Sequence, residues 1–201
     1  MFNKILIANR GEVAVRIARA AGDLEIESVV VYSSDDAGSA HLEAGDVAVA
    51  LGSAGPSAYL NGANLISIAR DQGCDAIHPG YGFLSENAAF AADCEKAGIR
   101  FIGPNLKALE AFGDKGLARR MAIASGVPVP LGTEGAVTLA EAQEFLAALG
   151  PNAAVMVKSI AGGGGRGMRP ARSAGELEKA FEVCRVEAEL AFGSGELYLE
   201  Q

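Results

Sequence analysis

Tryptophan is missing from this sequence, and its 201 residues hold only 2 histidines and 3 cysteines. His41, His78, Cys74, Cys94 and Cys184 stand far apart, without the paired spacing of a zinc site or a redox motif. The thiols are therefore expected to be reduced and mostly buried. No metal-ligand cluster is expected, and His78, beside Pro79, reads as a structural histidine. Positive charge is scarce too: 17 Lys and Arg face 25 Asp and Glu, for a formal charge of −8. Such a surface offers no general attraction to nucleic acid or to anionic lipid, so neither is expected as a partner. No apolar run approaches the roughly 20 residues of a membrane-spanning helix, and the one at the N-terminus is too short for a secretory signal. A cytoplasmic protein is the expectation. Internal repeats, low-complexity tracts and a Ser/His/Asp arrangement are also lacking, which removes the simplest hydrolase reading.

Apolar residues make up 50% of the chain and glycines number 26, enough for a real core with many special turns. The densest glycine stretch follows Lys158: Gly162, Gly163, Gly164, Gly165 and Gly167, with Arg166 among them. Without Cβ atoms, such a run lets backbone N–H groups close on an anion, and a lysine at the end of a strand would add charge for phosphate oxygens. A plain glycine linker is the alternative. The P-loop pattern is excluded, because Gly167 is followed by Met168 and Arg169 where Lys-Ser/Thr is required. Residues 153–158 read as a buried strand with Met156 and Lys158 on one face and Val155 and Val157 on the other. Residues 168–170 read as extended, so the glycines are expected to join two strands as a flap. A capping box at Ser173 and Glu176 then opens a helix over residues 175–192, with Leu177, Phe181, Cys184, Ala188 and Ala191 inward.

Upstream, strands are expected at residues 4–8, 29–32, 46–50, 75–77 and 100–102. Helices fall between them, the first burying Val13, Ile17, Ala20, Ala21 and Leu24, others at residues 63–71 and 86–96. This alternation predicts an open parallel sheet with helices on both faces. Asp35 or Asp36 would suit a ribose-binding acid, but Gly11 stands alone where G-x-G-x-x-G is needed, so dinucleotide binding is not expected. His78-Pro-Gly-Tyr-Gly-Phe-Leu-Ser-Glu-Asn87 lies where such a sheet places ligands, at the carboxyl end of a strand. There Tyr81 and Phe83 would stack on a ring and Glu86 would accept a hydrogen bond; equally, Ser85 would cap a helix and Phe83 would be core. Asp114 caps a helix ending at Gly126, and Pro128 and Pro130 mark a linker. A capping box at Thr138 and Glu141 starts the next helix. Lys115 opposes the dipole of its helix, which points to a neutralising anion or to a solvated lysine. Residues 196–201 read as a strand after which the chain is cut.

Five stretches, in this order and spacing, resemble biotin carboxylase: Ile7-Ala-Asn-Arg-Gly-Glu-Val-Ala14, residues 78–87, Phe101-Ile-Gly-Pro104, Gly113-Asp-Lys115, and Val157-Lys158 with residues 161–168. The resemblance covers the whole chain and implies an α/β fold. Residues 1–113 would be a Rossmann-like, pre-ATP-grasp sheet domain, 114–130 a helix and linker, and 131–201 an ATP-grasp lid subdomain, truncated before the central ATP-grasp part. The implied reaction is ATP- and bicarbonate-dependent carboxylation of biotin through carboxyphosphate, with Mg2+. Implied partners are a biotin carboxyl carrier protein, a carboxyltransferase, and a second copy of the chain through Arg16, Arg19 and Asp23, whose alternative role is plain surface charge. Lys115 and Lys158 would contact phosphates, Gly162, Gly163, Gly164 and Gly165 cover them, Met168, Glu200 and Gln201 meet the adenine, and Tyr81, Phe83 and Glu86 lie on the biotin side. Ala161 and Gln201 depart from the pattern, standing where some members have glycine and many have lysine. The magnesium carboxylates and catalytic base would lie beyond residue 201, so these residues alone are expected to be inactive, with residues 162–167 mobile. A carbamoyl-phosphate synthase-like or amino-acid ligase, or a non-catalytic α/β assembly module, are the alternatives.

Overall fold

The computed structural model describes residues 2–160 and 167–201. It divides into two compact units, Met1–Gly113 and Asp114–Gln201.

In the first unit, β1 (Lys4–Ile7), β2 (Glu27–Tyr32), β3 (Val47–Ala50), β4 (Ala76–His78) and β5 (Arg100–Phe101) form one sheet in the order β3-β2-β1-β4-β5. Every pairing is parallel. Runs such as Ser28-Val-Val-Val31 are buried on both faces, as expected where helices cover both sides. Leu6, Val29, Val31 and Ile77 pack on one face with Leu65, Phe90, Cys94 and Leu109. Those four come from α2 (Gly62–Asp71), α3 (Ala88–Lys96) and α4 (Leu106–Gly113). Ile5, Ile7, Val30 and Ala76 face the other way, onto Val13, Ala14, Ile17 and Ala18 of α1 (Gly11–Asp23). The expected sheet is therefore present, and β1 sits at its centre.

Local expectations needed two corrections here. Leu24 is 65% exposed rather than inward, because α1 stops at Asp23 and the chain turns through Glu25 at φ 58°. Ala20 is exposed as well, and Ala14 and Ala18 fill the inward positions instead. The second concerns α3, which is capped by Asn87, whose side chain accepts from Phe90 N at 2.8 Å, and not by Ser85. Asn87→Ala should therefore cost about 1 kcal/mol of first-unit stability, while Ser85→Ala should stay within about 0.5 kcal/mol. Urea unfolding followed on first-unit amide resonances checks this; equal costs would deny Asn87 the cap.

In the second unit, β6 (Val155–Ser159) lies between β7 (Met168–Ala171) and β8 (Leu197–Glu200), antiparallel to both. Strand alternation sends Val155 and Val157 to one face with Ala171, Leu197 and Leu199. They pack on Leu177, Phe181, Cys184 and Ala188 of α7 (Ala174–Phe192) and on Ala142 and Leu146 of α6 (Leu139–Ala148). Ala191, expected inward, is exposed at the end of α7. The capping box at Thr138 and Glu141 is complete. At α7 only half of one forms: Ser173 accepts from Glu176 N, but the Glu176 carboxylate reaches Arg172 N at 2.8 Å. All three cysteines are buried and unpaired. Among the described residues no helix is long and apolar enough to cross a membrane.

Candidate functional site

The face of the small sheet opposite its core carries the charged site. Lys158 stands across from Met168 on β7 and Tyr198 on β8, and Met156 from Pro170 and Glu200, so cross-strand neighbours share that face. Lys158 Nζ is bonded to Glu200 Oε2. A further helix, α5 (Lys115–Ala124), is capped by Asp114, which accepts from Leu117 N at 2.9 Å. Its first residue, Lys115, donates from Nζ to Ser159 O at 2.9 Å, at the end of β6. One turn on, Arg119 Nη1 lies 3.7 Å from Glu200 Oε1, and Nη2 donates to Pro130 O. Among the described residues, this bonded cluster holds three cations and one carboxylate.

Burial pushes the Lys115 ammonium below its ordinary range, the charge of Lys158 pushes it the same way, and Glu200 partly opposes both. Two lysines that sense each other at the end of a strand form a site short of negative charge. An anion arriving there would relieve that repulsion where water screens little. A cavity of about 190 Å3 adjoins the cluster, lined among others by Lys115, Arg119, Thr133, Ile160 and Tyr198.

Of the residues expected from sequence, Lys115, Lys158 and Glu200 are thus brought together, with Met168 opposite Lys158. Gln201 is exposed and donates its backbone N–H to Leu131 O at 2.8 Å. Gly162, Gly163, Gly164 and Gly165, and the mobility expected there, lie outside the described residues; the strands on either side pair antiparallel, and Ser159 N donates to Gly167 O at 3.1 Å. Arg119 was missed from sequence, although its i+4 spacing from Lys115 placed it on the same helix face. Among the described residues no three His, Cys, Asp or Glu side chains gather as a metal ion would need.

The first unit has its own constellation where β1 and β4 end side by side. Asn9 Nδ2 donates to Pro79 O at 2.7 Å and to Tyr81 O at 2.9 Å, stapling the two strand ends. Gly80 must be glycine: at φ +66° a Cβ would stand 2.8 Å from Asn9 Nδ2. Tyr81 is 67% exposed, and its hydroxyl donates to Glu12 Oε1 at 2.5 Å, which with the Glu12 charge raises the phenol above its usual range. Phe83 is committed to packing: its ring stacks on Tyr59 at 5.0 Å. Glu86 is exposed. Burial lowers the pKa of His78, whose Nδ1 accepts from Gly80 N at 3.0 Å. The two acids after β2 are both engaged: Asp35 accepts from Gly55 N at 2.7 Å, and Asp36 from Arg10 at 2.9 Å and Tyr59 at 2.8 Å. Arg16, Arg19 and Asp23 of α1 line one open groove together with Glu12, Ser39 and His41.

Residues 1–109 match the family described as biotin carboxylase, N-terminal domain, and residues 114–201 the ATP-binding domain of the carbamoyl-phosphate synthase L chain. The chain is 48% identical to a pyruvate carboxylase of Staphylococcus aureus, over 98% of this chain and 17% of that protein. It is 43% identical to biotin carboxylase 1 of Bacillus subtilis, over 100% of this chain and 45% of that protein. Among solved structures, the biotin carboxylase domain dimer of Hydrogenobacter thermophilus 2-oxoglutarate carboxylase, in complex with MgADP, ADP and bicarbonate, superposes with a TM-score of 0.95 at 41% identity, covering 100% of this chain and 44% of that one. The Campylobacter jejuni biotin carboxylase complex with β,γ-ATP gives 0.95 at 40% identity, over 100% of this chain and 45% of that one. The chain thus spans less than half the length of each of these relatives.

Proposed function

The chain belongs to the biotin carboxylase N-terminal domain family, and from that membership we propose that it supplies the opening part of an enzyme that uses ATP and bicarbonate to carboxylate carrier-borne biotin. The observation that carries this reading is the convergence of Lys115 and Lys158 on the end of β6, next to the glycine stretch. Phosphoryl transfer asks a protein mainly for positioning and charge neutralisation, and two partly buried lysines on rigid elements provide both. In this reading Lys115 and Lys158 hold phosphate oxygens, residues 162–165 close over them, and Met168, Glu200 and Gln201 border the base. Mg2+ would neutralise phosphate charge when bound; its ligands are to be sought outside the described residues.

Tyr81 and Glu86 are assigned to the biotin side, while Phe83, expected there as well, stacks its ring on Tyr59. Glu12 joins them, because its carboxylate fixes the Tyr81 hydroxyl. The boundaries 1–113, 114–130 and 131–201 are proposed as domain, connecting helix with linker, and lid. A carrier protein, a carboxyltransferase and a second copy meeting Arg16, Arg19 and Asp23 are the proposed partners, in the cytoplasm. Residues 1–201 alone are proposed to be inactive in carboxylation.

The match of residues 114–201 to a carbamoyl-phosphate synthase domain leaves that ligase as the second reading, and the match of residues 1–109 favours biotin over it. The test is bicarbonate-dependent ATP hydrolysis by the full-length protein, with and without free biotin. Stimulation by biotin is expected. Hydrolysis indifferent to biotin but raised by ammonia would move the assignment to the second reading, and no nucleotide binding at all would leave the assembly module.

A further inference from the structure

The carboxylate of Glu200 is divided between two cations: Oε2 is bonded to Lys158 and Oε1 lies 3.7 Å from Arg119 Nη1. The three side chains are only 19%, 23% and 15% exposed in that order, so water and salt screen their interaction little. Arg119 is fixed at a second point, because Nη2 donates to Pro130 O. Its guanidinium also lies against Gly132, where a Cβ would stand 3.3 Å from Cζ and 2.7 Å from Leu199 O. Gly132 pairs with Glu200 in an isolated antiparallel bridge, so the bare backbone at this position lets segment, carboxylate and guanidinium fit together.

We propose that Arg119 is a positioning residue for nucleotide binding: it holds Glu200 from the α5 side, fixing Lys158 at the end of β6 while leaving part of the lysine charge for phosphate. The inference rests on the nucleotide reading above and adds to it the part of the site that sets the charge of Lys158. Were Glu200 to face Lys158 alone, the undivided carboxylate would hold that ammonium against the sheet and neutralise it. Arg119 draws on the same carboxylate, and the cluster keeps a net positive charge for an anion. Lysine cannot substitute fully, since one ammonium on a flexible stem does not reach a carbonyl and a carboxylate with a fork's fixed geometry.

The experiment is calorimetric titration of the full-length protein with MgADP, using Arg119→Met, Arg119→Lys, Glu200→Gln and the two double variants. Arg119→Met should weaken binding about tenfold and Arg119→Lys about threefold. On the Glu200→Gln background either change should cost less than about twofold, because the group through which Arg119 acts has gone. A purely structural arginine would cost the same on both backgrounds, and that result overturns the inference, as does wild-type affinity in Arg119→Met. If Arg119→Met fails to fold, the Arg119→Lys pair carries the same comparison. Failure of the wild-type protein to bind MgADP would instead remove the nucleotide reading, and the inference with it.

Discussion

Lys158→Met should weaken MgADP binding by the full-length protein about 100-fold, roughly 2.7 kcal/mol, with little loss of second-unit stability. Methionine keeps the length and apolar stem of lysine, and the core contacts of β6 are made by Val155 and Val157 on the other face. The affinity loss has two parts. One is the attraction between the ammonium and phosphate oxygens in a site where water screens poorly. The other is Glu200, left with Arg119 at 3.7 Å as its one remaining counterion in place of two cations, so that its carboxylate opposes an incoming phosphate more strongly. Lys158→Met/Glu200→Gln should therefore recover part of the loss. A loss below about threefold in the single variant would take Lys158 out of the phosphate site.

The same variant carries a pH signature. Lys115 is held below the ordinary lysine range by burial first and by Lys158 second. Its cation is therefore lost, as pH rises, earlier than in an ordinary lysine. Binding of MgADP should fall at alkaline pH in the wild type, and removing Lys158 should move that fall to higher pH.

Much of this was legible in the sequence, for reasons that are local. The alternation of β6 placed Lys158 opposite the core face, and Asp114 and Thr138 announced their helices because a cap acts within three residues. The ordered glycine-bearing stretches carried the family. What stayed hidden depends on partners far along the chain. Arg119 reads as one of several charges on α5 until Glu200 and Pro130 O are seen beside it. Asn9 shows its role only when Pro79 and Tyr81, just past the end of the neighbouring β4, are seen to accept from it. Ser85 and Asn87 are both good caps by type, and only the chain path between Gly82 and Ala88 decides between them. Phe83 by type suits core or ligand, and its neighbour Tyr59 is what commits the ring to packing.

Asp36→Asn should destabilise the first unit by about 3 kcal/mol at pH 7. Asp36 Oδ2 accepts from Tyr59 Oη at 2.8 Å, Arg10 Nη1 at 2.9 Å and Ser33 Oγ at 3.1 Å, while Ser39 Oγ lies 3.3 Å from Oδ1. Arg10 also sits over the Tyr59 ring, 5.8 Å from its centre. Burial by itself would raise the pKa of this carboxyl, but the donors Arg10, Tyr59 and Ser33, with the Arg10 charge, outweigh it and hold the group at about 2. Since the native value lies below the unfolded 3.8, the contribution is complete above about pH 4 and is lost as pH falls toward 2. A shift of that size corresponds to about 2 kcal/mol at neutral pH. Asparagine offers one neutral acceptor oxygen to the three donors that converge on Oδ2, turns its amide N–H groups toward Ser39, and leaves Arg10 without its counterion. Urea unfolding read on β1 and β2 amide resonances at pH 7, 4 and 3 should show both the loss and a flattened acid dependence in the variant. An acid dependence as steep as in the wild type would place the titrating group elsewhere. The network also explains why an acid at the end of the second strand of a Rossmann-like sheet need not imply a dinucleotide: this carboxylate already anchors Arg10, ahead of the helix that brings Glu12 to Tyr81.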